Sequence, residues 1–158
     1  PMQITYHPAE LSDAAGLSAV LEALRRAGKR HKAGDAAFVR THYIRHSDQL
    51  ACTVATDETG VVLGFQSLKR AVPGNPYGAP VGWGVIGTHI HPNAARCGIG
   101  RGLFAVTTAA ARQAVLPAID ALIGAANAEG LGYYAAMGFV DHRSEPGGVG
   151  KAFHLPRG

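Results

Sequence analysis

Residues 90–104 form a glycine-rich turn between a strand-like run and an apolar, helix-like run. They read Ile90-His-Pro-Asn-Ala-Ala-Arg-Cys-Gly98-Ile-Gly100-Arg-Gly102-Leu-Phe. Glycines allow backbone N–H groups to point into one concavity, and the helix that follows begins with about half a positive charge. Arg96 and Arg101 add full charges on either side. The turn is therefore typical of a site for an anion such as a diphosphate, and the alternative is a plain turn before a packed helix.

The spacing of these glycines also bears on the class of ligand. A Gly-x-Gly-x-Gly run matches neither the phosphate-binding loop of nucleotide hydrolases nor the Gly-x-Gly-x-x-Gly fingerprint of dinucleotide-binding proteins. Nucleotide hydrolysis and dinucleotide redox chemistry are accordingly disfavoured.

The remaining sequence alternates strand-like and helix-like patterns. Hydrophobic periodicity and turn residues predict strands at residues 3–7, 49–56, 61–68, 83–91, 119–126, 139–143 and 151–155, and helices at 12–27, 98–115 and 129–137. Asp35 is a predicted cap for a further short helix that ends near His46, and residues 28–34 and 72–82 are predicted loops. This order predicts an α+β (α/β) fold, with one mixed sheet flanked by helices.

Composition limits the protein to a few classes. With 158 residues, 47% of them hydrophobic and 16% charged, residues 1–158 are predicted to form a single globular domain, neither disordered nor a coiled coil. No apolar run approaches the roughly 20 residues of a membrane-spanning helix. Two cysteines that can stay free favour a cytoplasmic protein. The net charge of +4 suits an anionic ligand without requiring nucleic acid.

Two motifs resemble those of the GNAT acetyltransferase superfamily. The first is an apolar-x-Pro strand end followed by Gln/Arg-x-x-Gly-x-Gly/Ala, which reads here as Ile90-His91-Pro92 and then Ala95-Arg96-Cys97-Gly98-Ile99-Gly100. Ala95 departs from the Gln or Arg of the family pattern. The second motif places Tyr134 seven residues after Asn127, followed by Gly138-Phe139. Residues 54–68 and 77–92 are also weakly similar to the branch that acetylates phosphinothricin and related amino-acid-like compounds.

The resemblance implies a mainly antiparallel GNAT-like sheet, with acetyl-CoA as the donor along the fourth strand. His89 and His91 could together hold a metal, but no Asp, Glu or third His lies nearby in sequence, so no metal is predicted. Tyr134 would protonate the leaving sulfur. A free phenol and a free thiol differ by only about 1.5 pKa units, so such a transfer is feasible. Neighbouring Tyr133 points about 100° away along the helix and is interpreted as packing. The residues implied to contact the donor are Ile90, His91, Arg96, Cys97, Gly98, Ile99, Gly100, Arg101, Gly102, Asn127 and Tyr134.

The residue that deprotonates the acceptor amine is harder to identify. Related branches carry a carboxylate near the position of Val85, and this chain has none between Glu58 and Asp120. His89 is the candidate, because it shares a strand face with position 85 and its ordinary pKa is near 6.5. A purely structural histidine and deprotonation through water remain open. Cys97 is interpreted as a small apolar filler.

The acceptor is expected to be a small amine. The basic run from Lys29 to Lys32 would favour an anionic group on it, unless the run is only a solvated turn. The sequence therefore predicts an acetyl-CoA-dependent N-acetyltransferase that acts by direct transfer in a ternary complex, with a homodimer implied by the superfamily. The alternatives are a protein or peptide N-acetyltransferase, which needs an open groove, and a non-catalytic acyl-CoA sensor.

Overall fold

The computed structural model describes residues 2–156. In chain order it contains β1 (Thr5–Pro8), α1 (Ala14–Arg26), α2 (Ala36–Val39), β2 (Gln49–Thr56), β3 (Val62–Arg70), β4 (Gly84–Ile90), α3 (Ile99–Gln113), β5 (Ala118–Gly124), α4 (Ala128–Met137), β6 (Val140–Glu145) and β7 (Gly148–His154). This is the predicted order of elements.

The seven strands form a single sheet in the order β1-β2-β3-β4-β5-β7-β6. Neighbouring strands are antiparallel except β4 and β5, which are parallel. The predicted fold class, a mixed and mainly antiparallel sheet flanked by helices, is thus confirmed. Within residues 2–156, no helix is both long and apolar enough to cross a membrane.

Helices cover both faces of the sheet. On one face, Leu17 and Leu21 of α1 are fully buried in a cluster with Phe65 of β3. We call this the α1 face. On the opposite face, which we call the α3 face, Phe104 of α3 and Tyr134 of α4 share a second cluster. Complete burial of a leucine or phenylalanine side chain contributes about 1.5–3 kcal/mol, so both clusters stabilise the packing of helices on the sheet.

Helix ends follow the predicted caps. The Asp35 side chain accepts a hydrogen bond from the Phe38 N–H (2.9 Å), as expected for an N-cap. Beyond α2 the chain continues as one π-helical turn, Arg40–Ile44. Gly138 closes α4 with φ of 104°, a left-handed conformation that glycine adopts without strain.

The last hairpin is tighter than the sequence suggests. Residues 146–150 are predicted as a loop, but β7 begins at Gly148, so that only Pro146 and Gly147 connect β6 to β7. Gly147 supplies the positive φ of 73° that this turn requires. Gly150 lies within β7, opposite Arg143. The residue is a glycine because the Arg143 side chain lies across it: a Cβ there would be 2.3 Å from Arg143 Cγ. The glycines reflect a close approach in this strand, and the loop prediction is wrong.

Candidate functional site

Strands β4 and β5 run side by side only where they begin. They pair through Gly84 with Ile119 and through Val85 with Asp120, and the described residues form no further pair. Because β4 continues to Ile90, the two strands part beyond this point. The backbone of β4 along this gap is therefore free to pair with an extended ligand.

The predicted anion site lies at the far end of β4. A short turn at Pro92–Ala94 leads to Gly98, which is the N-cap of α3. No side chain of the described residues caps this helix, so its first N–H groups remain available to a ligand. Arg96 and Arg101 lie next to them in the chain and are exposed. Free N–H groups and two cations together are suited to a phosphate group.

The three glycines of the turn are required for different reasons. Gly98 has φ of 78°, and a Cβ there would meet open space. At Gly100 a Cβ would lie 2.5 Å from Cε1 of Tyr133, and at Gly102 it would lie 2.0 Å from the hydroxyl oxygen of Tyr6. Gly98 therefore shapes the turn, whereas the other two glycines also allow tyrosine rings to pack against the start of α3.

Tyr134 reaches from α4 across to β4. Its hydroxyl lies 2.8 Å from the Thr88 hydroxyl, on the part of β4 that β5 does not pair. Burial raises the pKa of Tyr134 above its usual value, and the hydrogen bond with Thr88 lowers it. Tyr134 is consequently protonated at neutral pH, which is the state that a proton donor needs. The structure thus brings this phenol to the edge of the gap.

Tyr133 has a polar role in addition to packing. Its hydroxyl donates to the carbonyl oxygen of Gly100 (2.7 Å) and accepts from Nε2 of Gln66 (3.0 Å). Gln66 is fully buried in β3 and also donates to the Thr88 hydroxyl (2.9 Å). The sequence interpretation of Tyr133 as packing is therefore incomplete, because it ties the anion site to the surroundings of Tyr134.

His89 lies on the α1 face of β4, as predicted. The register between β3 and β4 runs without a bulge, so residues 85 and 89 share one face. His89 Nε2 lies 3.1 Å from the Tyr43 hydroxyl, and its ring packs against Phe65. Burial, helped by the positive charge of Arg30, lowers the pKa of His89 to about 3. The ring is neutral at physiological pH and is a weak base.

A cavity of about 230 Å³ opens on the α1 face beside the start of β4. Val85 and Lys69 form part of its wall, and they are cross-strand partners. The remaining lining residues come from the π-helical turn and the segment between it and β2 (His42, His46 and Asp48), from the end of β3 (Arg70) and from the loop before β4 (Ala71, Val72, Asn75, Pro76 and Tyr77). The cavity therefore leaves open space beside Val85.

Lys69 is the residue of this cavity that sequence reasoning missed. It is only 5% exposed, its Nζ lies 3.2 Å from His42 Nε2, and no carboxylate of the described residues pairs with it. Its ammonium group also faces the rings of Tyr43 (5.4 Å) and Tyr77 (6.0 Å). Burial lowers the pKa of Lys69 to about 8. Asp48 lines the same cavity and raises the pKa of Lys69, but among the described residues it forms no ion pair with it, so the buried cation lacks a direct anionic partner and favours an anionic ligand.

Asp120 of β5 lies at the centre of a buried polar cluster that reaches Tyr77 of the cavity wall. It is fully buried and accepts hydrogen bonds from His142 Nε2 (2.8 Å) and from two nitrogens of Arg143 (3.1 and 2.8 Å). Arg143 donates in turn to the carbonyl oxygen of Tyr77 (2.9 Å). The cluster thereby fastens the loop before β4 to the sheet. A charged residue inside the apolar run 118–123 was the sequence signal for such a pairing.

The predicted basic loop is mostly engaged with the protein itself. Lys29 forms an ion pair with Glu129 at the start of α4. Arg30 donates to the carbonyl oxygens of Lys32 (3.2 Å) and Ala33 (3.1 Å). The positive charge of the loop therefore acts on His89 only through longer-range electrostatics, whereas the positive charge of Lys69 lies in the cavity wall.

The other predicted donor contacts lie around the turn. The Ile90 side chain packs against the first turn of α3, and His91 Nδ1 accepts a backbone hydrogen bond within the Pro92–Ala94 turn. Asn127 caps α4 through its Oδ1. Cys97 is exposed, so its interpretation as an apolar filler is wrong. Ile99 is buried. Within residues 2–156 no group of three potential ligand side chains could hold a metal ion.

Neither a protein-family model nor a curated protein sequence matches this chain. Solved structures do. A protein assigned as a phosphinothricin N-acetyltransferase superposes with a TM-score of 0.78 at 17% identity, over 98% of this chain and 100% of that one. The chain has the GNAT acetyltransferase fold.

Other GNAT structures give the same result. The Salmonella typhimurium protein yncA, assigned as an acetyltransferase and solved with its cofactor acetyl-CoA, has a TM-score of 0.68 at 21% identity, over 98% of this chain and 95% of that one. The Escherichia coli ribosomal-protein-S18-alanine N-acetyltransferase has a TM-score of 0.74 at 12% identity, over 99% of this chain and 96% of that one. The predicted GNAT-like fold is therefore confirmed over nearly the whole chain.

Proposed function

We propose that this protein is an N-acetyltransferase that moves the acetyl group of acetyl-CoA to the amine of a small, anionic molecule. The observation that carries the proposal is the gap between β4 and β5, with the Tyr134 hydroxyl at its edge and the open N-terminus of α3 at its far end. In acetyl-CoA the thioester would lie beside the Tyr134 hydroxyl, the pantetheine arm along the gap, and the diphosphate at the N-terminus of α3.

In this proposal, backbone groups of the protein make more of the contacts with acetyl-CoA than side chains do. β4 offers its unpaired N–H and C=O groups beyond Val85 to the amides of the pantetheine arm. The N–H groups after Gly98, with Arg96 and Arg101, take the diphosphate. The absence of a long polar residue at Ala95 leaves these two arginines as the charged groups of the turn.

Tyr134 serves as the general acid. In direct transfer the amine nitrogen forms a bond to the thioester carbon, the carbon–sulfur bond breaks, and the sulfur departs as a thiolate that needs a proton. Tyr134 donates its phenolic proton to that sulfur and regains one from solvent. Because thiolate protonation is needed only as the bond breaks, this interaction accelerates the transfer itself.

The amine must lose a proton before or during its attack. His89 is the candidate base on the α1 face, and its pKa of about 3 means that it can accept a proton only briefly and pass it on. The Tyr43 hydroxyl, 3.1 Å from His89 Nε2, orients the ring, and the accepted proton leaves His89 for water. Ordered water provides the other route.

The acceptor occupies the cavity beside Val85. Its volume of about 230 Å³ has room for a small amine. Lys69 attracts an anionic group, and its position one strand away from Val85 would leave the amine directed toward the gap. These features favour a small amino-acid-like acceptor over a protein.

An acceptor panel tests this proposal. CoA release should be measured with purified protein, acetyl-CoA and pairs of amines that differ only in a carboxylate or phosphonate. Turnover is expected with the anionic member of some pairs, with a lower KM than for its neutral counterpart. Tight acetyl-CoA binding without turnover on any amine would instead indicate an acyl-CoA sensor, and turnover on peptides alone would indicate a protein acetyltransferase.

A further inference from the structure

A line of hydrogen bonds on the α3 face connects the start of α3 to Tyr134. Gln66 stands at its centre, fully buried. Its Oε1 accepts from the Thr107 hydroxyl (2.5 Å), and its Nε2 donates to the hydroxyls of Tyr133 (3.0 Å) and Thr88 (2.9 Å). The Thr88 oxygen then lies 2.8 Å from the Tyr134 oxygen.

The direction of these hydrogen bonds, as far as the Thr88 oxygen, follows from one fixed end. The carbonyl oxygen of Gly100 can only accept, so the Tyr133 hydroxyl donates to it. The Tyr133 oxygen must then accept from Gln66, which places the NH₂ group of the amide toward both Tyr133 and Thr88. The Thr88 oxygen accepts from Gln66, and its hydroxyl faces the Tyr134 hydroxyl at 2.8 Å, where either group can donate to the other.

We propose that Gln66 is a positioning residue which, through Thr88, holds the Tyr134 hydroxyl in the orientation that donates its proton into the gap between β4 and β5. The inference rests on the proposed function, because it assigns a purpose to the proton of Tyr134. With Thr88 donating to the Tyr134 oxygen, the phenolic hydrogen is left free to point toward the leaving sulfur.

Burial makes this arrangement necessary. A phenol enclosed by apolar groups is a poor acid, because the phenolate that it leaves behind has no water to stabilise it. The Thr88 hydrogen bond supplies a donor to that oxygen, and such a bond strengthens as negative charge develops there. If Thr88 instead accepted from Tyr134, the proton would point away from the sulfur and the phenolate would lack its donor.

The first test compares two substitutions at Thr88. Thr88→Val keeps the shape and removes the donor, and we expect kcat with acetyl-CoA to fall about tenfold to a hundredfold with unchanged affinity for CoA. Thr88→Ser retains the hydroxyl and should stay within about threefold of the wild type. Thr108→Val is the matched control, because the Thr108 hydroxyl bonds only to the carbonyl oxygen of Ala105 in its own helix (3.0 Å).

The second test asks whether Gln66 acts through Thr88. Gln66→Met removes the amide and preserves length, and it should lower kcat about fivefold or more in the wild-type background but not further in the Thr88→Val background. A selenium analogue of acetyl-CoA should restore the rates of Thr88→Val, of Gln66→Met and of the double variant, since a leaving group of lower pKa departs without a proton. A merely structural role would lower the rates with both donors equally.

The outcomes separate this inference from the proposed function. Wild-type kcat for Thr88→Val, while Tyr134→Phe loses activity, would overturn the positioning role and leave Tyr134 as the acid. Wild-type kcat for both variants would instead remove the acid role from Tyr134. Additive losses in the double variant would also overturn the inference. Should Gln66→Met not fold, the Thr88→Ser and Thr88→Val pair, monitored by thermal unfolding, decides the question.

Discussion

At the scale of single residues, the proposed chemistry depends on the hydroxyl group of Tyr134, whose ring is held by packing. The Tyr134 ring lies against Phe139, with ring centroids 5.1 Å apart, and this contact does not involve the phenolic oxygen. Removing the oxygen therefore separates the chemical role of the residue from its structural role.

Tyr134→Phe should retain the fold and lower kcat by about 10²–10⁴, the usual contribution of a positioned general acid. The affinity for acetyl-CoA should change little, because the proton is needed only as the carbon–sulfur bond breaks. Steady-state kinetics over pH 6–9, with calorimetric titration of CoA as a control, measures both quantities. A wild-type kcat under conditions where chemistry limits turnover would make Tyr134 a packing residue.

Lys69 should act on the acceptor and not on the donor. We expect Lys69→Met to raise the KM for a carboxylated acceptor about tenfold or more, the effect of removing a charge-assisted contact, with the KM for acetyl-CoA unaltered. In the wild type the cation is lost as pH rises through its pKa of about 8, so the acceptor KM should increase above pH 8. Lys69→Arg should abolish that increase. Equal effects on acceptors with and without the carboxylate would contradict this role.

Residues fixed by a motif were predictable, and residues fixed by packing were not. Tyr134 and the turn at Gly98 follow from local spacing. Lys69 and Gln66 lie in a strand whose alternation shows which residues share a face, but the pattern does not show that a helix or loop covers them. Their roles depend on neighbours that are distant in sequence, such as His42 and Thr107.

At the scale of elements, α3 contributes its N-terminus to the site and its C-terminal end to the surface. The first turn carries Arg101 and follows Arg96, whereas Arg112 lies in the last turn of the same helix. All three side chains are exposed, so charge reversal at either end should leave packing intact and isolate the electrostatic contribution.

Reversal of both Arg96 and Arg101 to Glu should weaken CoA binding about tenfold to a hundredfold, since two attractive charges beside the diphosphate become repulsive. The effect should shrink at high salt because both side chains are exposed. Arg112→Glu is the matched control and should leave the affinity unchanged. Calorimetric titration at two salt concentrations provides the measurement, and equal losses for the double variant and the control would argue against a diphosphate at this turn.

Periodicity gave the order of every element but not all of their ends. Asp35 and Gly138 marked helix ends correctly because caps are local. The sequence does not predict that β7 begins at Gly148. Gly150 is a glycine because the Arg143 side chain from the neighbouring strand lies across it, and such a contact is not visible in the sequence. The parting of β4 from β5 was also not derivable from sequence periodicity, because strand pairing is a relation between segments.

At the scale of the whole molecule, two partly buried histidines link stability to pH. Burial lowers the pKa of His42 to about 4 and that of His89 to about 3. In the unfolded chain both titrate near 6.5. Between these values the unfolded state binds more protons than the folded state, so stability is greatest above pH 6.5 and is lost as the pH falls.

We expect the free energy of unfolding to fall by about 2–4 kcal/mol between pH 6.5 and 4.5 because of these two groups. Replacing both with Gln should flatten this decline, whereas replacing the exposed His31 with Gln should not alter it. Urea unfolding at several pH values measures the difference. An unchanged slope in the double variant would mean that other groups, such as carboxylates, dominate the acid sensitivity.

The short β4–β5 contact divides the sheet into two halves, β1 to β4 and β5 to β7, that are joined by two residue pairs. An acetyl-CoA molecule bound in the gap would form hydrogen bonds with the β4 backbone groups that β5 leaves unpaired. These hydrogen bonds would be lost when CoA is released and would form again when the next acetyl-CoA binds. Because a ligand that binds only the folded state stabilises it, saturating acetyl-CoA is expected to raise the thermal unfolding temperature of the protein.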